Sequence, residues 1–292
     1  MQCMTNQSEP MIVAVSGGID SVVMLDRLVT ADSRRLIVAH VDHGIREDSA
    51  ADEAFVASLA QDYDLEYVST KLNLGTGASE DTARQARYTW LEKICAQYEA
   101  EAIATAHHLD DVLETIIINL VRGTGWRGLC SLRETPHRHR PLLRVSKAEI
   151  IDYALSHGLQ WREDSTNNSM RYLRNRIRTS ITPCLDAGLR QRLLGLYDAQ
   201  LNLRHEIETE LHVIGKQIIA GEQINRYPLI MIEEDAAIEL LRSWLGESLE
   251  QSRYRDLLLF AKTARPGTKW SLDGGRFVLA KARTLIVSPP RD

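Results

Sequence analysis

The stretch Met11-Ile-Val-Ala-Val-Ser-Gly-Gly-Ile-Asp-Ser21 decides how the first half of the chain folds. A β-branched apolar run enters a Ser-Gly-Gly-x-Asp-Ser turn, and Val22, Val23, Leu25, Leu28 and Val29 follow at helical spacing. Strand, glycine turn and helix in that order aim unpaired backbone N–H groups and a positive helix end at one point, which suits an anion. Gly17 and Gly18 permit positive φ and let a phosphate approach the main chain. Ser16 and Ser21 add hydroxyl donors, and Asp20 offers a carboxylate for Mg²⁺ beside the phosphates. A plain strand-to-helix turn requires only the glycines; the two serines and the aspartate favour phosphate. The Lys-Ser/Thr of the Walker loop and the G-x-G-x-x-G of dinucleotide folds are both missing.

Outward from this turn, strand and helix signals alternate. Strands are expected at residues 11–15, 35–41, 66–71 and 102–106, with helices near 21–30, 50–61, 80–98 and 110–120. That alternation predicts an α/β fold, a parallel sheet covered on both faces, with ligands beyond the carboxyl ends of the strands. Three polar clusters fall at those ends: Ser16–Ser21, Asp42-His-Gly-Ile-Arg46 and His107-His-Leu-Asp-Asp111. Ser146-Lys-Ala-Glu149 is a capping box that opens a helix, with Gly158 at its end, and is read as structural. Beyond Leu185 the alternation stops. Helices are expected at 189–217, 235–245 and 251–263, then a hairpin of strands 270–272 and 277–280 around Asp273-Gly-Gly275, and a short strand at 285–287. The expected organisation is a loose tail at 1–10, a catalytic domain at 11–188, and a mostly helical domain at 189–292.

At 292 residues, 44% hydrophobic and 26% charged, the chain is long enough for a large core or two smaller ones. No apolar run is long enough to span a bilayer, and the polar start lacks the apolar segment of a signal peptide. The four cysteines, Cys3, Cys95, Cys130 and Cys184, have no C-x-x-C spacing, which disfavours zinc ribbons, iron–sulfur sites and redox pairs. A reducing, cytoplasmic home is expected. Net charge is −5, yet the basic residues are clustered. Seven Lys or Arg lie between Arg122 and Lys147 against Glu134 alone, and six arginines lie between Asn168 and Arg192 against Asp186 alone. Two such stretches in an acidic chain point to a polyanion.

Asp111 and Glu114 are three apart and share a helix face, where two carboxylates repel unless they meet a metal or an ammonium group. Asp110 reads equally as a helix cap. The adjacent histidines do not have zinc spacing. Arg84 and Arg87 share a face of the third helix and either pair with Glu80 and Asp81 or reach the phosphates of a bound nucleotide. Arg174 and Arg178, i and i+4, suit carboxylate or phosphate recognition. Asp164 and Arg176 read equally as parts of a salt-bridged cluster.

The Ser16–Ser21 turn resembles the PP-loop of ATP pyrophosphatases, which cleave ATP between the α- and β-phosphates. Together with His40–Arg46, Ala83-Arg-Gln-Ala-Arg-Tyr88, His107–Thr115, Arg122–Leu129, Arg140-Pro-Leu-Leu143 and Glu163-Asp-Ser-Thr-Asn167 through Arg178, the chain resembles the bacterial tRNA(Ile)-lysidine synthetase family. The match runs from about residue 11 to 185 in family order. With no large further C-terminal domain in the sequence, it looks like the shorter form.

The resemblance implies a ligase. The C2 oxygen of the wobble cytidine in an isoleucine tRNA with a CAU anticodon attacks the α-phosphorus of ATP, and pyrophosphate leaves. The ε-amine of free lysine then attacks C2 and expels AMP. Carried over by residue, Ser16, Gly17, Gly18, Ile19, Asp20 and Ser21 hold ATP with Asp42 and Arg87, and Asp20 stands near Mg²⁺. Asp111 and Glu114 hold lysine's ammonium group, with Arg174 or Arg178 facing its carboxylate. Asp20, Arg87, Asp111 and Glu114 are the expected catalytic set, and Arg122, Arg127, Arg140 and Arg176 the expected tRNA contacts. Trp126 is read as a base-stacking residue or as core packing. A homodimer would fit the family. A tRNA thiolase would share the adenylation but commonly needs a sulfur-carrying cysteine or cluster. A non-catalytic ATP-binding module would leave Asp111, Glu114 and the arginine blocks without a purpose.

Overall fold

The computed structural model describes residues 9–31, 34–42, 49–72, 80–162, 173–246 and 249–288. The chain divides into two compact units, residues 1–200 and 201–292.

In the first unit the elements are β1 (Met11–Ala14), α1 (Ile19–Ala31), β2 (Leu36–Asp42), α2 (Ser49–Asp62), β3 (Glu66–Lys71), α3 (Glu80–Gln97), β4 (Ala102–Ala104) and α4 (Leu109–Val121). After these come α5 (Trp126–Leu129), β5 (Arg138–His139), α6 (Lys147–Ser156) and α7 (Leu173–Arg176). α7 runs into a π-helical turn, Ile177–Ile181, and a 3₁₀ turn, Thr182–Cys184, before α8 (Ala187–Ile218). The strands form one parallel sheet in the order β3-β2-β1-β4-β5. Side chains alternate across it, as a strand dictates. Met11, Val13 and Val15 pack with α1, α2 and α6, through Val23, Leu25, Val56 and Ile150. Ile12, Ile37 and Ile103 face Leu91 and Ile94 of α3. A sheet buried on both faces is what the uninterrupted apolar strands require.

The chain steps outward from β1 through β2 to β3, then crosses back by way of α3 to β4 on the other side of β1. The strand order therefore reverses at β1, and a crevice opens between β1 and β4. The expected strands and helices of this half all form, within about two residues at their ends, which is the ordinary uncertainty of helix and strand termini. α6 is opened by the expected capping box, with Ser146 Oγ accepting from the Glu149 backbone N–H at 3.3 Å and Glu149 Oε2 accepting from the Ser146 N–H at 2.8 Å. It ends at Gly158 with φ 65°.

The second unit follows with β6 (Ile219–Ala220), β7 (Gln223–Asn225), α9 (Arg226–Met231), α10 (Glu234–Leu245), α11 (Gln251–Thr263), β8 (Lys269–Ser271), β9 (Phe277–Ala280) and β10 (Thr284–Val287). Its strands make an antiparallel sheet in the order β6-β7-β10-β9-β8. Ile224, Leu229, Leu240, Tyr254, Val278 and Leu285 fill its core. The three longer helices and the Asp273–Gly275 hairpin are those expected; α9 was not foreseen, nor were β6 and β7, which complete the five-stranded sheet.

Candidate active site

The turn after β1 is held by its own serines. Ser21 Oγ donates to the Gly18 carbonyl at 2.8 Å and lies 3.2 Å from Ser16 Oγ, and the Ser16 N–H donates to Ser21 Oγ at 3.2 Å. α1 starts at once, with the Ser21 and Val22 N–H groups bonded to the Gly18 carbonyl. Gly17 has φ 90°, and a Cβ there would stand 3.4 Å from Phe55 and Val56. Gly18 does not use a positive φ, so the expected conformational need falls on Gly17 alone. The Arg162 N–H closes the turn on the Gly17 carbonyl at 2.9 Å. Ile19 is the first residue of α1 and packs into the core beside the loop.

Asp20 is not solitary. Lys147, the first residue of α6, places Nζ 2.5 Å from Asp20 Oδ1, and His108 Nε2 lies 3.9 Å from Asp20 Oδ2. The capping box of α6, read from sequence as structural, therefore presents a cation to the Ser16–Ser21 turn. Asp110 does not cap α4. It accepts from the Lys147 backbone N–H at 2.9 Å and pairs with Arg190 of α8 at 2.9 Å. These two bonds, together with His108, hold the Asp110 carboxyl below its usual range against the opposing effect of burial. The capping carboxylate is Asp111, whose Oδ2 accepts from the His108 N–H at 3.0 Å.

Asp111 and Glu114 are 7% and 1% exposed, and the repulsion between them is answered by two arginines. Arg174 Nη2 lies 2.9 Å from Asp111 and its Nε 3.1 Å from Glu114. Arg178 Nε lies 2.7 Å from Glu114, and its Nη2 2.9 Å from Asp111. Arg178 sits in the π-helical turn, a deformation of helices often found at functional sites. Burial alone would raise the Asp111 carboxyl, but His108, Arg174, His107 and the His108 N–H outweigh it and hold it at about 2. Every member of this quartet was singled out from the sequence. That the two carboxylates pair with the two arginines was not foreseen: the carboxylates were expected to meet a metal or an ammonium group, and the arginines a carboxylate or phosphate.

His108 connects the two halves of the site. Its ring is buried, Nε2 lies 3.6 Å from Asp111, and Nδ1 has no hydrogen-bond partner among the described residues. His107 hydrogen-bonds through Nδ1 to Thr105 Oγ1 at 3.0 Å, and burial pushes its pKa down to about 3. Asp42 closes β2, 6% exposed, with Lys71 3.5 Å away. Arg87 is half-buried on α3, its guanidinium 5.8 Å from the centre of the Tyr88 ring.

Of the expected tRNA contacts, Arg122 and Arg176 are exposed, and Arg127 lies 4.7 Å over the half-buried Trp126 ring. Arg140 is 8% exposed, its pKa lowered by burial, and it hydrogen-bonds the Tyr88 phenol. Such a group lines an interior wall rather than an outer surface. The expectations at His43–Arg46, Asp164 and the rest of 163–172 lie outside the described residues, as do the side chains of Glu80 and Asp81. Lys147, Arg190 and Arg162 were missed as site residues. Lys147 and Arg190 were marked in sequence only as members of the basic stretches, and Arg162 only as a neighbour of the polar Glu163–Asn167 segment, because each meets its partner across a long loop of chain. Among the described residues no group of three His, Cys, Asp or Glu could hold a metal by itself, and no helix is long and apolar enough to cross a membrane. Cys95, Cys130 and Cys184 are free thiols.

The PP-loop domain family matches residues 2–185. Among curated proteins, a tRNA(Ile)-lysidine synthase of Geobacter sulfurreducens is 39% identical over 62% of this chain and 41% of its own length. One from Thermus thermophilus is 31% identical over 97% of this chain and 57% of its own length. The chain thus spans less than two thirds of the length of these relatives. Among solved structures, the U34-tRNA thiolase NcsA from Methanococcus maripaludis superposes with a TM-score of 0.55 at 19% identity, covering 70% of this chain and 75% of that one. This last likeness is one of fold.

Proposed function

The chain belongs to the PP-loop family, and from that premise we propose that it ligates free lysine to C2 of the wobble cytidine of an isoleucine tRNA with a CAU anticodon. The observation that carries the reading is the buried Asp111–Glu114–Arg174–Arg178 quartet, joined through His108 to the nucleotide loop. A nucleotide-binding module has no use for two buried carboxylates faced by two guanidinium groups. An amino acid does, since it brings both an ammonium and a carboxylate to exchange for the internal pairs. The names of the relatives from Geobacter and Thermus agree with it.

In this reading Ser16, Gly17, Gly18, Ile19 and Ser21 cradle the pyrophosphate of ATP at the start of α1. The cytidine C2 oxygen attacks the α-phosphorus and pyrophosphate departs. Lysine's uncharged ε-amine then forms the C2–N bond, the C2–O bond to AMP breaks, and the amine gives up its proton. Holding the base and the amine in attack geometry is the main work of the site. Lys147 is positioned to balance phosphate charge once the nucleotide draws it from Asp20. Mg²⁺ typically takes one or two carboxylates and completes its shell with water and phosphate oxygens. Asp20, the loop's one carboxylate, fits that pattern; the ion would neutralise charge developing on the phosphates. His107, held at about 3, is too weak a base to take the ammonium proton.

The test is pyrophosphate release by the purified protein with tRNA or lysine omitted in turn, followed by mass analysis of the nucleosides. Release that requires tRNA, and a nucleoside heavier by one lysine less water that requires both, is expected. Turnover without tRNA, or a sulfur mass shift, overturns the reading.

A further inference from the structure

Along α3 and β5 an open cleft of about 410 Å³ is lined by Arg84, Tyr88, Glu92 and Arg138, among others. The Arg138 guanidinium lies 4.2 Å from the centre of the Tyr88 ring and that of Arg84 5.1 Å from it. Behind them Arg140, more than nine-tenths buried, hydrogen-bonds Tyr88 and keeps an Nε that has no hydrogen-bond partner among the described residues. Arg138 has a buried Nη1 in the same condition. Glu92, paired with Arg138, is the one acidic side chain in the lining. Arginines gathered on an aromatic ring in an open groove match a nucleotide: charged forks for a phosphate and a flat surface for a base. A chain of net charge −5 has no general reason to concentrate cations there.

The position of the cleft selects which nucleotide. Arg138 pairs in register with Ile103, four residues before His107 at the strand-end site. At ~3.3 Å per residue the far wall lies about 13 Å down the sheet from that site. The near end approaches it: the Thr105 N–H donates to the His139 carbonyl at 3.0 Å, which sets Arg140, behind the cleft, level with the strand end that carries His107. ATP's phosphates belong at the Ser16–Ser21 turn, so the groove leads away from them.

We propose that this cleft receives a nucleotide of the bound RNA flanking the one that reacts, its phosphate on Arg84 and Arg138 and its base against Tyr88. The inference rests on the tRNA reading above. It adds a second, non-reacting contact that fixes how the strand enters the site.

The experiment measures binding of the CAU-anticodon isoleucine tRNA over a range of salt, and binding of a non-hydrolysable ATP analogue, for intact wild type and variants. Arg138→Gln is expected to weaken tRNA binding about five- to tenfold and to reduce the slope of log affinity against log salt by about one. Tyr88→Ala is expected to weaken it about tenfold with the slope unchanged. Glu92→Gln, which removes the competing acid, should tighten binding, a gain that a merely damaged fold does not give. ATP-analogue affinity should stay within twofold for all three. Unchanged tRNA affinity in Arg138→Gln and Glu92→Gln overturns the proposal, and so does a loss of ATP-analogue affinity in place of tRNA affinity. If wild type binds tRNA with these dependences but makes no lysidine, the reading of the reaction fails while the cleft stands. If wild type makes lysidine and the variants bind normally, the cleft alone fails.

Discussion

Gly17 carries the sharpest constraint of any single residue. At φ 90° an L-residue is strained, and a new Cβ would press on Phe55 and Val56 at 3.4 Å. Gly17→Ala should cost about 1–3 kcal/mol of stability and most of the affinity for an ATP analogue. Gly18→Ala should change stability by less than about 1 kcal/mol, since its Cβ would meet only Ser16 Oγ at 3.6 Å. Urea unfolding and calorimetric titration of the pair check both. His107 supplies a prediction in pH. Its folded pKa of about 3 lies below the usual 6.5, so the unfolded chain takes up a proton first as pH falls. Stability from this group is complete above about pH 6.5 and is lost progressively down to about pH 3. Asp111, at about 2 against an ordinary 3.8, extends the loss to lower pH with the same sign. His107→Gln should flatten the fall in unfolding free energy between pH 6.5 and 4; an unaltered slope there would show that burial does not control this imidazole.

At the scale of elements, α6 is both a packed helix and the carrier of Lys147. Losing its cap through Ser146→Ala should cost about 0.5–2 kcal/mol. It should also weaken ATP-analogue binding, because the first turn that aims Lys147 frays; thermal melts and the same titrations read the two effects. The junction of α4 with α7 and its π-helical turn depends on compensated charge. Arg174→Gln leaves Asp111 and Glu114 short of a partner. A fully buried pair broken in this way loses about 3–5 kcal/mol, and the partial exposure of Arg174, 26%, lowers the expectation to about 2 kcal/mol. A double-mutant cycle with Glu114→Gln should then show strong coupling. The strands and helices of the parallel sheet were legible because each announces itself locally, by β-branched runs or by 3.6 spacing. Ile219–Ala220 and Gln223–Asn225 were not, because strands of two or three residues carry no periodicity and owe their form to pairing with β10. Asp111, Glu114, Arg174 and Arg178 could be named one by one. Their mutual pairing could not, since it depends on contacts 60 or more residues apart in sequence.

For the molecule as a whole, the two units have separate cores, one around the parallel sheet and one around Leu240, Tyr254 and Val278. Leu240→Ala should destabilise the second core by about 2–5 kcal/mol. Calorimetric melts should show the effect in the transition of residues 201–292, while an ATP analogue raises that of residues 1–200. The charge distribution belongs to this scale too. The net charge alone gives no sign of nucleic acid, whereas the two arginine-rich stretches, read by position, point to a polyanion. The quartet at the heart of the first unit has one more effect. Its four charges already satisfy one another, so on the proposed reading lysine enters by an exchange of partners rather than by filling a waiting charge. A diamine such as cadaverine offers cations alone and would strand a guanidinium; a dipolar amino acid replaces both kinds of partner at once. On the proposed reading, the resting site should therefore prefer lysine to cadaverine by symmetry of charge, before shape or length is consulted; equal binding of the two in a calorimetric titration would show otherwise.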